Sequence, residues 1–341
     1  MTTLVTGGSG YFGEILVRRL LERGHAVRIF DRVAADDRPA DAELCLGDVR
    51  DEGAVQRAMQ GVRVVHHNVA QVPLAKDREL FWSVNVDGTR HVLEAARRAG
   101  VQKVVLTSSS AVHGVPRYNP VTERTLPRPR EAYGRAKLAA ERLAWDFTAR
   151  GLDVSVVRPR TILGHGRLGI FSVLFDWVSR GRPVYLLGSG DNRYQFIHAD
   201  DLAAMCLAAG ELEGPRLLLA GTDRFGTLRE LLEGLVRHAR SVSEVRSLPH
   251  GPTQLAMKLT SALRLSPLGD YHTLMYGRSM WFDIEPTCEA LGVRPSYSNA
   301  EMIADSYDAF LAQRRGGAAR HASPHRAPIK KGALTLLEWL P

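Results

Sequence analysis

Apolar residues fall into two alternating rhythms along the first half of the chain. Short runs rich in Val, Ile, Leu and Thr, at 3–6, 26–30, 62–66, 103–107 and 154–158, read as strands buried on both faces. Between them lie 11–23, 51–60, 85–99 and 133–149, where apolar positions recur every three or four residues, as at Phe12, Ile15, Leu16 and Leu20. That spacing gathers the apolar side chains on one face of a helix. Strand and helix in regular alternation predict an α/β fold, a Rossmann-type doubly wound parallel sheet.

The rhythm breaks after about residue 165, where Gly164-His165-Gly166, Gly181-Arg182-Pro183 and Gly188-Ser189-Gly190 punctuate the chain. We therefore expect a dinucleotide-binding domain over 1–165 and a smaller C-terminal substrate-binding lobe over 166–315, some of whose segments return to the main sheet. Residues 316–341 divide into a basic linker rich in Gly, Ala, His and Pro and an apolar tail with Leu334, Leu336, Leu337, Trp339 and Leu340. The tail either docks on the body or a partner, or lies on a membrane surface beside Lys330 and Lys331.

Composition changes this picture little. Hydrophobic residues at 45% and charged residues at 24% describe a chain able to bury a full core. No run approaches the roughly 20 apolar residues that span a bilayer, and the first apolar run stops at glycines, too short for a secretory signal. Three widely spaced cysteines, Cys45, Cys206 and Cys288, show neither a disulfide framework nor metal-ligand spacing. A cytoplasmic protein without a metal is the expectation. The net charge of +8 is spread over many helices without a nucleic-acid reading motif, so no nucleic-acid partner is expected. The same charge equally attracts an anionic small molecule such as a nucleotide diphosphate.

Thr6-Gly7-Gly8-Ser9-Gly10-Tyr11-Phe12-Gly13 follows a strand and opens a helix. Gly7 permits the sharp turn, Gly10 lets backbone approach a pyrophosphate, and Gly13 lets the helix pack on the sheet, while the helix N-terminus at Tyr11 and Phe12 offers N–H groups and a partial positive charge. Asp31, ending the second strand, suits an adenosine ribose and repels a 2′-phosphate, which favours NAD over NADP; Arg32 beside it softens that choice. Asp48-Val49 fits either the adenine edge or a solvated turn.

Tyr133 and Lys137 stand at i and i+4, on one helix face. A phenol near pKa 10 is a poor base at neutral pH, and a fixed ammonium beside it makes it a usable general acid/base. Ser108-Ser109-Ser110 ends the preceding strand, where a hydroxyl can hold a reacting alcohol or carbonyl oxygen.

On these motifs the chain resembles an extended short-chain dehydrogenase/reductase of the NAD-dependent sugar epimerase/dehydratase group. The likeness runs from Thr2 to about Phe310 and adds His67-x-x-Ala70, Asn85-x-x-Gly88-Thr89 and Arg158-Pro159. It implies Tyr133 as catalytic acid/base, Lys137 as its activator and a ribose ligand, and Ser109, five before Gly114, as holder of the substrate hydroxyl. It also implies cofactor contacts from Ala70, Asn85, Pro159, Thr161 and Ile162, and a homodimer formed through helices 85–99 and 133–149.

Departures narrow the activity. Where related dehydratases carry an Asp-Glu pair, this chain has Ser110 and Ala111, which argues against elimination of water. His113 stands in place of a tyrosine and Val69 in place of an alanine, both reshaping the pocket; His113 either titrates near neutrality or packs. Tyr194 occupies the place of a diphosphate-binding arginine, with Arg193 one residue earlier. With Ser110, His113 and Arg193 as substrate residues, the leading expectation is an epimerase acting on a nucleotide sugar through a keto intermediate. Asn192 followed by Gln195-Phe196 is similar to 3β-hydroxysteroid dehydrogenases and supports the alternative, a dehydrogenase of a steroid or isoprenoid alcohol. A non-catalytic nucleotide-sensing scaffold is a third, disfavoured because Tyr133 and Lys137 are both present.

Overall fold

A computed structural model describes residues 2–72, 78–166, 168–263 and 274–316. The expected linker and apolar tail lie outside the described residues, apart from Gly316, which ends the helix Asn299–Gly316. In chain order the strands are β1 Thr2–Thr6, β2 Ala26–Asp31, β3 Glu43–Leu46, β4 Val62–His67, β5 Lys103–Thr107, β6 Val154–Pro159, β7 Thr161–Leu163, β8 Val184–Leu187, β9 Phe196–His198, β10 Leu217–Ala220 and β11 Val245–Leu248.

Seven of them form one sheet in the order β10-β6-β5-β4-β1-β2-β3, and every adjacent pair is parallel. Parallel pairing needs crossover helices, and these cover both faces, which is why all five residues of β5 are buried. On one face, helices Tyr11–Glu22 and Ala199–Glu211 bury Leu16, Val17, Leu202 and Met205. On the other, Glu52–Ala58, Gly88–Arg98 and Ala132–Thr148 bury Val55, Val92, Leu93 and Ala144. The expected helix over 85–99 instead opens with a π-helical turn, Ser83–Asp87, before Gly88–Arg98.

The second half of the chain sends β10 back to the sheet edge beside β6. Its other strands pair as β8 with β11 and β7 with β9. Helices Phe171–Ser179, Leu228–His238 and Asn299–Gly316 close over these with a core of their own around Phe175, Leu186, Leu232 and Met302. Strand order reverses at β1, flanked by β2 and β4, so a crevice opens beyond the carboxyl ends of these strands.

Candidate active site

That crevice holds a cavity of about 690 Å³ running from the glycine loop into the second half of the chain. Gly7, Gly10, Tyr11, Phe12, Gly13, Asp31, Arg32, Asp48, Val49, Ala70, Pro159, Thr161 and Ile162 line it, as do Ser109, Ser110, Tyr133 and Lys137. Asn85, His113 and Arg193 do not.

The glycine loop has no room for side chains. Gly7 turns at φ +72°, and a Cβ on Gly13 would stand 2.0 Å from the Gly7 carbonyl oxygen. The helix starting at Tyr11 has no side-chain cap, so its positive end borders the cavity. Asp31 is fixed by backbone donors, accepting from Ser9 N at 3.0 Å and Arg32 N at 2.7 Å. Burial raises its pKa against those donors. Its oxygens retain lone pairs for a hydroxyl guest. Asp48 is held by Arg50 at 2.6 Å, which lowers its pKa to about 2.

Asn85 reaches the cavity only through the backbone. Its Oδ1 accepts from Gln71 N at 2.8 Å and its Nδ2 donates to Gln71 O at 3.1 Å, pinning the segment that contains Ala70. A buried relay supports the same floor. Thr89 donates its hydroxyl proton to Asn85 O, so it accepts from His67 Nε2, and His67 Nδ1 then accepts from the Thr6 hydroxyl. His67 is neutral, its pKa pushed down to about 3 by burial and by Lys137.

The helix Ala132–Thr148 is capped by Glu131, which accepts from Tyr133 N and Gly134 N at 2.7 and 2.6 Å. A Cβ on Gly134 would lie 2.5 Å from Ala111 O, so this helix start abuts the turn Ser110–His113 and brings Tyr133 to the end of β5. One turn on, Lys137 donates to Thr107 O at 2.9 Å. Burial lowers its pKa to about 8, with Glu141 pulling the other way. The serines divide their work. Ser108 donates to buried Glu141, whereas Ser109 is partly exposed, its Oγ accepting from Ala111 N at 3.2 Å.

Two expected substrate residues do not line the cavity. His113 is buried beneath the turn against the Arg158–Glu141 ion pair, its Nε2 3.3 Å from Arg158 Nη1. Burial, then Arg158 and Arg160, press its pKa to about 3, so it packs as a neutral ring and does not titrate near neutrality. Arg193 is exposed and stacks on Phe225 and Trp281 at 4.8 and 4.9 Å. Adjacent residues of an extended segment face opposite ways, and here Tyr194 takes the cavity side.

Sequence reasoning missed two features. One is the apolar wall at the far end, built by Phe171, Leu174, Trp177, Leu231, Leu248 and Met257. The other is Arg160, the cation that joins Arg32 and Lys137 among the described lining residues. A second arginine two residues after Arg158, where β6 passes into β7, was the available signal.

Comparison with known proteins gives a family and two kinds of relative. The profile of the NAD dependent epimerase/dehydratase family matches residues 3–218. An uncharacterized protein, y4nG, of Sinorhizobium fredii is 50% identical over 339 residues, covering 99% of this chain and 86% of its own. Sterol demethylase protein B of Methylococcus capsulatus is 34% identical over 253 residues, 70% of this chain and 76% of its own. Among solved structures, the Thermus thermophilus UDP-glucose 4-epimerase complex with NAD superimposes with a TM-score of 0.73 at 29% identity, covering 94% of this chain and all of that one.

Proposed function

Since the chain belongs to the NAD dependent epimerase/dehydratase family, we propose that it is an NAD-dependent dehydrogenase of a secondary hydroxyl on a bulky, largely apolar ring substrate. The observation that carries this reading is the far wall of the cavity, where Phe171, Leu174, Trp177, Leu231 and Leu248 offer surface to hydrocarbon and outnumber the charged groups among the described lining residues there. The likeness to sterol demethylase protein B supports it.

The residues present fit NAD. The Gly7–Gly13 approach leaves bare backbone where a pyrophosphate lies, and Asp31 is preset at the lip for a ribose hydroxyl. NAD bound there supplies the hydride acceptor. Ser109 Oγ holds the substrate oxygen, and Tyr133 takes its proton as the carbinol carbon gives up hydride. Lys137, on the same helix face, stabilises the phenolate that performs this step, and its bond to Thr107 O keeps the ammonium oriented. Asn85 and His67 position the floor of the site through Gln71 and Thr6.

A second reading, epimerisation of a nucleotide sugar, uses the same three residues and is supported by the likeness to UDP-glucose 4-epimerase. Against it, Arg193 stacks outside the cavity, leaving Arg160 as the cation beyond the catalytic residues among the described residues. Calorimetric titration of NADH-loaded protein separates the two. A 3β-hydroxysteroid should bind with the negative heat-capacity change of apolar burial and UDP-glucose should not bind; the reverse result contradicts the proposal. We also propose that helices Gly88–Arg98 and Ala132–Thr148 pair two copies; light scattering should give the mass of two chains, and the mass of one chain would contradict it.

A further inference from the structure

Arg160 heads the large side chains that are almost wholly buried, at 1% exposure. Its Nε, Nη1 and Nη2 meet no acceptor among the described residues. The rings of Tyr194 and Phe282 lie 4.7 and 5.6 Å from its guanidinium carbon. Those faces offset part of the charge, but a guanidinium does not deprotonate, and its N–H groups still require acceptors. The buried carboxylate of Glu141 is already taken: Arg158 grips it at 2.9 and 2.6 Å, and Ser108 donates to it as well.

His113 adds a second donor. Arg158 Nη1 donates to its Nε2, so Nδ1 carries the proton, and Nδ1 is also without a partner. The His113 ring meets Phe282 edge-on at 5.7 Å, so both donors gather around one phenyl ring. A place framed by donors alone selects an acceptor without a proton of its own; a planar guanidinium pairs with a carboxylate or a phosphate, and the apolar body proposed for the substrate favours the carboxylate. Both donors flank the reaction centre in the chain. His113 closes the turn that follows Ser109, and Arg160 lies between Pro159 and Thr161. Arg160 and Tyr194 both line the cavity, and the Tyr194 hydroxyl rests 3.2 Å from Thr161 Oγ1.

We propose that Arg160 and His113 form a carboxylate-binding subsite at the reacting end of the cavity, so that the substrate is a hydroxy acid with an apolar body. This rests on the apolar-alcohol reading above. Tyr194 lines the cavity beside Arg160 with its ring 4.7 Å from the guanidinium carbon, and in this proposal its rotation admits the carboxylate.

The test uses the full chain with NAD and two probes: a 3β-hydroxysteroid carrying a carboxylate on the carbon next to its carbinol, and the methyl ester of the same compound. NADH formation should favour the acid over the ester by about 10- to 100-fold in kcat/KM, the range of a hydrogen bond to a charged group. Arg160→Met should bring that ratio close to one, and Arg160→Lys, which keeps the charge if the methionine variant fails to fold, should leave a reduced ratio. Acid and ester turned over alike by the wild type, or a ratio that survives both substitutions, overturns the subsite while leaving the apolar-alcohol reading standing. Added acetate that protects the wild type from heat while acid and ester react alike assigns the donors to a free small anion and equally overturns it. Turnover of neither steroid removes the reading on which the subsite rests, and the subsite with it.

Discussion

The two ends of the cavity are built from different materials. At the glycine-loop end, Gly7 and Gly13 approach so closely that a side chain on Gly13 has no room, and Asp31 is held by backbone N–H groups. At the far end, Phe171, Leu174, Trp177 and Leu231 provide a greasy wall in which one hydrocarbon side chain can replace another. The first end is set by hydrogen-bond geometry and close contact, the second by surface area. A dinucleotide has fixed dimensions and fixed polar atoms; an apolar guest asks for volume and exclusion of water. Tyr133 and Lys137 stand where the two meet.

Substitutions can break this contrast in a graded way. Tyr133→Phe removes the proton acceptor and should lower kcat by about 10²–10⁴-fold with NAD affinity retained; turnover near the wild-type rate would remove the tyrosine from the chemistry. Gly13→Ala forces a Cβ onto the Gly7 carbonyl oxygen. Overpacking costs about 1–3 kcal/mol, so the Kd for NAD should rise roughly tenfold to a hundredfold, and an unchanged calorimetric Kd would contradict the close approach. Leu174→Gln puts an amide on the apolar wall and forfeits about 1.5–3 kcal/mol of burial. KM for a steroid alcohol should rise at least about tenfold while the Kd for NAD holds, and an equal loss of both would deny that the ends are separable.

Lys137 sharpens the boundary through pH. Its pKa falls from 10.5 unfolded to about 8 folded because burial penalises the ammonium. Between those values the unfolded chain binds more protons than the folded one, so this lysine makes stability rise with pH. Lys137→Met should therefore abolish turnover yet melt higher than the wild type at pH 7, with the advantage shrinking from pH 8 towards 10.5. A constant difference across that window would contradict the burial argument. Smallest of all, Arg193→Ala should change kcat/KM by at most about fivefold, the worth of an exposed cation–π stack. A loss of a hundredfold would place Arg193 at the substrate and bring back the diphosphate.

The same contrast explains what the sequence discloses. Gly7, Gly10 and Gly13 are legible because contact geometry leaves no substitute, and Tyr133 and Lys137 because their spacing follows from the helix they share. The alternating rhythm of β1 to β6 and their helices is legible because both faces of a parallel sheet must be covered. The apolar wall is not, since Phe171 and Leu231 look in sequence like any core residue of a helix. Nor is the side of the chain that Arg193 and Tyr194 occupy, because in an extended segment one residue of register exchanges inside for outside. Asn85 sits in the right motif, but only the π-helical turn shows that it acts through Gln71. Arg160 escaped because its buried state, without a hydrogen-bond partner among the described residues, is a property of packing.

The most direct measurement is a NADH balance. Purified protein, stripped of nucleotide and supplied with excess NAD, is given a 3β-hydroxysteroid or UDP-glucose, and NADH is followed by absorbance while the sugar products are separated. An apolar-alcohol dehydrogenase yields one NADH for each steroid consumed and leaves UDP-glucose untouched. Conversion of UDP-glucose to its epimer without accumulated NADH, and no reaction of the steroid, would contradict it.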